Sequence, residues 1–164
     1  HATGFIHTVA GDGTTFESFA HGMTGEVDMM SIDIDSFDYW VLRALTVCSP
    51  RVLIVEYNAL FGPDRCVTVP NAPVPPDSPK GYSGASLAAF DKLATAKGYR
   101  LVVCEENGVN AFFLRNDVAP SVAAVPVSDA YRPWLDKRSA LEAKPRNIDI
   151  YRLIEERSLP LVEV

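Results

Sequence analysis

The residues best placed to do chemistry in this chain are the acids of one stretch, Ser31-Ile32-Asp33-Ile34-Asp35-Ser36-Phe37-Asp38-Tyr39-Trp40. Residues 27–34 have the composition of a buried strand, and an amphipathic helix follows Ser36, so the acids fall in a tight strand-to-helix turn. Side chains alternate across a strand, which puts Ser31, Asp33 and Asp35 on one face and Ile32 and Ile34 on the other. Two carboxylates about 7 Å apart along a strand are costly to bury unpaired. In an open parallel α/β sheet the carboxyl ends of the strands border the crevice where ligands sit. The plainer alternative is a pair of solvated turn acids, with Ser36 capping the helix.

A second stretch repeats the arrangement. Residues 51–58, Arg-Val-Leu-Ile-Val-Glu-Tyr-Asn, form a continuous apolar run, the mark of a strand buried on both faces of a parallel sheet. Its polar residues again come last, with Glu56 and Asn58 on one face by period two. Two neighbouring strands would then deliver acids to the same sheet edge. The structural alternative is that Glu56 pairs with Arg51 or Arg65.

The elements that must position these residues are legible in order. Phe37, Trp40, Val41, Ala44, Leu45 and Cys48 recur at helical spacing, and Ser49-Pro50 ends that helix. Residues 62–81 carry six of the twelve prolines and predict an irregular loop rimming a site, with no regular element of its own. Leu87, Phe90, Leu93 and Ala94 predict a helix that closes with Lys97 and a C′ glycine at Gly98. Residues 99–104 and 109–114 predict an antiparallel hairpin across Glu105-Glu106-Asn107-Gly108. The tail from Ala119 begins with a Pro- and Ala-rich link, has a charged helical stretch over 136–143 and an apolar stretch over 148–154, and reads as an appendage without catalytic residues.

Toward the amino terminus, residues 5–10 have strand composition, and Thr14 with Glu17 has the spacing of a capping box. Gly11-Asp12-Gly13 there is an incomplete version of a cofactor-cradling glycine loop, with Asp33 or Asp35 about 20 residues later as the ribose acid. The chain begins at His1, which suggests that a natural amino-terminal portion is missing.

Length, composition and charge bound the classes. A chain of 164 residues with 48% hydrophobic and 22% charged residues suits one ordinary globular core. A net charge of −6 with no basic run argues against nucleic acid as a partner. No apolar run approaches the length of a membrane span and no signal sequence opens the chain, so a soluble, cytoplasmic protein is expected. Cys48, Cys66 and Cys104 are odd in number and widely spaced, which predicts reduced, mostly buried thiols rather than disulfides or a zinc site.

Four blocks in order carry a resemblance. They are residues 30–40, Pro50 to Asn58, Tyr82 to Leu87 and Gly108 to Phe113. They resemble Leu-Ser-Ile-Asp-Ile-Asp-Gly-x-Asp-Tyr-Trp, Pro-Arg-Val-x-x-x-Glu-Tyr-Asn, Tyr-x-Gly-Ala-Ser-Leu and Gly-x-Asn-Ala-Phe-Phe of S-adenosylmethionine-dependent methyltransferase-like proteins close to the FkbM family. The likeness covers about residues 22–118, with Ser36 where the pattern has Gly. It implies an α/β fold, specifically the carboxyl-terminal half of a Rossmann-like methyltransferase sheet, in which parallel strands finish in an antiparallel hairpin. Residues 1–118 would be that partial domain and 119–164 an extension packing on it. The register makes residues 27–35 the fourth strand of the fold and so sets aside the glycine-loop reading. It leaves the cofactor-binding residues unknown, because the half that binds the methyl donor precedes this strand in the family.

The resemblance implies a methyltransferase acting on a small molecule or saccharide, with S-adenosylmethionine as donor if the missing half is supplied. Asp33 and Asp35 would be the catalytic acids, holding the acceptor or the donor's amino group and serving as general base, while Glu56, Asn58 and Tyr82 would contact substrate. A further likeness to catechol-type methyltransferases, which hold magnesium with acids after the fourth strand and an acid plus Asn after the fifth, implies Mg²⁺ on Asp33, Asp35, Glu56 and Asn58. Two other readings remain open. One is a non-catalytic assembly domain whose open sheet edge pairs with a partner chain or a second copy. The other takes Asp33-Ile34-Asp35 as the metal-holding Asp-x-Asp of a glycosyltransferase.

Overall fold

The structure is a computed structural model that describes residues 25–136, 144–145 and 148–164. The strand-like segment at 5–10, the capping box at Thr14, the Gly11-Asp12-Gly13 stretch and the charged stretch at 137–143 lie outside the described residues.

A four-stranded mixed sheet is built from β1 (Met29–Ile32), β2 (Val52–Glu56), β4 (Tyr99–Cys104) and β5 (Asn110–Arg115), in the spatial order β1-β2-β5-β4. β1 and β2 are parallel, and β5 runs antiparallel to both β2 and β4. The hairpin partner therefore inserts between the parallel strands and the edge strand β4. Register explains the core. Leu53 lies opposite Phe113, and Phe113 opposite Leu101, while Val55 lies opposite Ala111 and Ile32 opposite Val55. These residues form one continuous apolar row on one face, all nearly or fully removed from solvent.

Two helices cover that face. α1 (Asp38–Ala44) lays down Tyr39, Val41 and Leu42, and α2 (Leu87–Ala96) lays down Leu87, Ala89, Phe90 and Ala94. The Ser86 side chain caps α2 by accepting from the Ala89 amide, and it also accepts from the Val67 amide. Gly98, at φ +87, supplies the left-handed residue beyond Lys97. The Lys97 ammonium donates to the Leu45 carbonyl at 2.9 Å and so ties the ends of the two helices together.

The opposite face is less covered than a strand buried on both sides would require. β2 alternates between fully buried Leu53 and Val55 and half-exposed Val52, Ile54 and Glu56. Its continuous apolar run therefore overstates its burial, because among the described residues no helix packs on the second face. The first helix is also shorter than its periodicity predicts. It ends at Ala44, and Leu45 is already extended.

Two further corrections concern the loop and the tail. The proline loop contains β3 (Val67–Thr68), which pairs antiparallel with β8 (Val162–Glu163) at the end of the tail. A 3-10 turn (Ala59–Phe61) and α4 (Ile150–Glu156) help build a second core of Phe61, Val67, Val69, Tyr82, Ile150 and Ile154. The tail thus supplies one wall of a core rather than an appendage. Between these parts, a short helix α3 (Val127–Ala130) buries Ala130 in the first core, and β6 (Leu135–Asp136) pairs with β7 (Lys144–Pro145). Among the described residues no helix is long and apolar enough to cross a membrane. The three cysteines are free thiols, Cys104 buried and Cys48 and Cys66 half-buried.

Candidate functional site

β1 ends at Ile32, so Asp33 and Asp35 belong to the turn rather than to the strand. The residue that shapes this turn is Asp38. Its side chain is 1% exposed, and its carboxylate accepts from the Ile34 amide at 3.1 Å and the Ser36 amide at 3.2 Å. Ser36 does not cap the helix; Phe37 holds that position without a side-chain bond, and the Asp38 carboxylate satisfies the turn from within the first helical turn. Asp35 sits at φ +56, a left-handed conformation that Asp tolerates better than most residues. The consequence is that Asp33 and Asp35 point out at the carboxyl end of β1.

Glu56 ends the neighbouring parallel strand, and carboxylate oxygens of Asp33, Asp35 and Glu56 all lie within 4.8 Å of one another. Three acids so close cannot all keep full charge at low cost. Partial burial, then the hydrogen bond to Asp33 and the charges of Asp33, Asp38 and Asp35, push the Glu56 carboxyl up to about 7. Burial also raises Asp38, against the lowering effect of the backbone amides it accepts from. The alternative pairing of Glu56 does not occur: Arg51 bridges to Glu26 and Asp28, and Arg65 to Glu163.

Beside the cluster lies a crevice of roughly 270 Å³. Asp35, Asp38 and Glu56 line it from the sheet edge, Lys80, Gly81 and Ser83 from the end of the proline loop, and Gly108 and Val109 from the hairpin turn. Trp134 closes one side. The proline loop therefore does rim the site, as its composition suggests.

No family model, curated protein or solved structure matches the chain.

Of the residues expected from the sequence, the structure brings Asp33, Asp35 and Glu56 together and assigns other tasks to Asn58 and Tyr82. The Asn58 carboxamide donates to the Gly81 and Ser83 carbonyls at 2.7 and 2.8 Å, while its oxygen accepts from the Leu60 amide at 3.0 Å. It holds the proline loop against the end of β2 and lines the crevice beside Glu56. Tyr82 is buried in the second core, where its hydroxyl donates to the Pro160 carbonyl at 2.6 Å. The strand ends at Glu56, and Asn58 caps the 3-10 turn that follows; both residues line the same crevice.

Three site residues were missed. Asp38 stands in the quoted motif but looks like an ordinary first-turn acid; only the direction of its carboxylate, back toward Ile34 and Ser36, shows its role. Lys80 and Trp134 lie far from the acidic turns in sequence and carry no local signal. Tyr57 also lines the crevice. Its hydroxyl donates to the Arg132 carbonyl at 2.8 Å and accepts from the Arg132 amide at 3.1 Å.

Proposed function

We propose that the crevice binds the acceptor of a methyl-transfer reaction, with Glu56 as the general base and Asp33 and Asp35 positioning Glu56 and the acceptor. The observation that carries this is the Glu56 carboxyl raised to about 7 by burial and the Asp33 side chain, at the carboxyl ends of two parallel strands. A general base works best with a pKa near the operating pH. Perturbed carboxylates in a crevice are the usual sign of such a role. The strand order β1-β2-β5-β4, with parallel strands finishing in an antiparallel hairpin, agrees with the methyltransferase-like half-sheet that the sequence blocks resemble. S-adenosylmethionine, the co-substrate in this reading, supplies an electrophilic methyl group. Among the described residues no glycine-rich strand-to-helix turn precedes β1, so none is assigned to holding it.

The chain's own residues would work as follows. Glu56 would take the acceptor hydroxyl proton as that oxygen attacks the methyl carbon; the C–O bond would form as the sulfonium's S–CH3 bond breaks, S-adenosylhomocysteine would leave as a neutral thioether, and the proton would pass from Glu56 to solvent. Asp33, which accepts a hydrogen bond from protonated Glu56, holds the carboxyl in place. Trp134 and the proline loop limit water at the reacting oxygen. The three clustered carboxylates also suit a hard cation such as Mg²⁺. Such an ion would neutralise the crowding and make a bound hydroxyl more acidic.

Calorimetric titration of the chain with S-adenosylmethionine and S-adenosylhomocysteine tests the reading. Micromolar binding, about 8 kcal/mol, supports it and makes Glu56→Gln the first variant for acceptor screening. No heat with either ligand removes the methyltransferase activity and favours the assembly reading. That second reading has one observation of its own, the exposed apolar side chains Met29 (62% exposed) and Val103 (48%) on the two edge strands of the sheet.

A further inference from the structure

We propose that the sheet's second face is covered by the chain's own amino-terminal segment, with residues 14–23 lying across it and Phe16, Phe19 and Met23 set against the strands. The inference concerns how the sheet is closed, and it stands whether or not a methyl donor binds.

The face is apolar by register. Met29 lies opposite Val52 and Val52 opposite Leu114, while Ile54 lies opposite Phe112 and Phe112 opposite Val103. Side-chain alternation turns these residues away from Leu53, Val55 and Phe113, and so away from the two helices on the first face. The register shift after Leu101 brings Val103 to the same side. None of the six belongs to either hydrophobic core or packs against one. Met29 and Val103 are exposed, and the four between them are half-buried. A sheet face this apolar is closed in a stable domain by a second layer.

Area and tether choose the occupant. Four strands about 4.8 Å apart and about four residues deep offer on the order of 250 Å² in plan. A stable contact between two chains takes about 800 Å² from each, so a second copy seated here buries too little. One helix, about 10 Å across and about 15 Å over ten residues, matches the patch, and a tethered segment escapes the cost of association.

Residues 1–24, outside the described residues, supply such a segment. They join the described chain at Gly25, just before Val27, whose carbonyl accepts from the Arg51 amide and extends the β1–β2 ladder. Their tether is therefore at a corner of the face. Phe16, Phe19, Ala20 and Met23 stand at i, i+3, i+4 and i+7, the spacing of one helical stripe, behind the Thr14 and Glu17 capping pair. The other undescribed stretches are poorer candidates, since 137–143 holds one large apolar residue, Leu141, and 146–147 none.

Photo-cross-linking on the full chain tests this. With p-benzoylphenylalanine in place of Phe19, irradiation should join that position to peptides carrying Ile54 or Phe112 within one chain, as read by mass spectrometry. A thermal double-mutant comparison is the second measurement. Phe19→Ala should lower the melting temperature by roughly 4 °C or more. In an Ile54→Ala background it should lower it by less than half as much, because the two residues share one contact. Cross-links confined to other parts of the chain, cross-links between two chains, the absence of any cross-link, or additive losses would each overturn the proposal.

Discussion

Glu56 and Asp33 stand at the carboxyl ends of two parallel strands with carboxylate oxygens within 4.8 Å, and after partial burial it is Asp33 that does most to raise the Glu56 carboxyl. With Asp35 also within 4.8 Å, burial and these neighbours push Glu56 up to about 7, where a carboxyl can both give up and take back a proton near neutral pH.

The first prediction concerns pH. The folded Glu56 carboxyl titrates at about 7 against an ordinary value of 4.5, so between these limits the folded state binds more protons than the unfolded state. Stability should therefore fall as pH rises from about 5 to about 8. Glu56→Gln, which keeps a donor toward Asp33 without the charge, should leave stability unchanged at pH 5 and raise it at pH 8. The gain should be on the order of 1 kcal/mol once solvent screening of a half-exposed group is allowed for. Thermal melts of both proteins at the two pH values check this, and an equal pH dependence in both would remove Glu56 as the titrating group.

The second concerns divalent cations. At pH 8, where Glu56 is mostly ionised, millimolar Mg²⁺ or Mn²⁺ should raise the melting temperature by relieving the crowding of the three carboxylates. At pH 5.5 the effect should shrink, because the proton competes, and in Asp33→Asn it should vanish. A shift of the same size in Asp33→Asn would place the cation elsewhere.

The third concerns Asp38. Asp38→Ala leaves the Ile34 and Ser36 amides without their acceptor and should cost about 2–4 kcal/mol. Asp38→Asn keeps one acceptor oxygen and should cost about half of that. Chemical denaturation gives both values, and a loss under about 0.5 kcal/mol in the alanine variant, the size of an ordinary surface change, would mean the turn does not depend on this carboxylate.

The fourth concerns Gly108. Its φ of +70 disfavours a side chain, and a Cβ there would collide with the Arg132 and Pro133 carbonyl oxygens. Gly108→Ala should displace residues 132–133 and lower stability by about 1–3 kcal/mol, the cost of an overpacked site or a strained backbone. The far end of the molecule should be unaffected, so chemical shifts of Tyr82 and Ile154 should stay in place while those of Trp134 move.

The fifth concerns the tail. Ile150 is 1% exposed in the second core, and Ile150→Ala should cost about 2–5 kcal/mol in one cooperative transition with the sheet. A separate early transition, with the sheet melting unchanged, would instead make the tail an independent attachment.

The parts of the fold that rest on local pattern were legible. Tyr99–Cys104 as a strand, the helix ending at Lys97 and Gly98, the hairpin and the acidic strand-to-helix turn follow from hydrophobic period and glycine placement, which act over a few residues. Where the period was read as burial it failed. Val52 and Ile54 are as apolar as Leu53 and Val55, yet only the latter pair meets helices. Burial depends on what packs across, and that information lies elsewhere in the chain.

The same division holds for the site. The sequence by itself determined that acids would gather at one sheet edge, because Asp33, Asp35 and Glu56 each end an apolar run of strand length. Only the tertiary structure decided which of them is perturbed, because the raised Glu56 carboxyl comes from its burial and from the approach of Asp33 across two strands. It also buried Tyr82 in the second core with its hydroxyl on the Pro160 carbonyl, and it brought Lys80 and Trp134 to the crevice from distant segments. A residue's type is local, whereas its charge state and its partners are set by neighbours that the chain supplies only after it has folded.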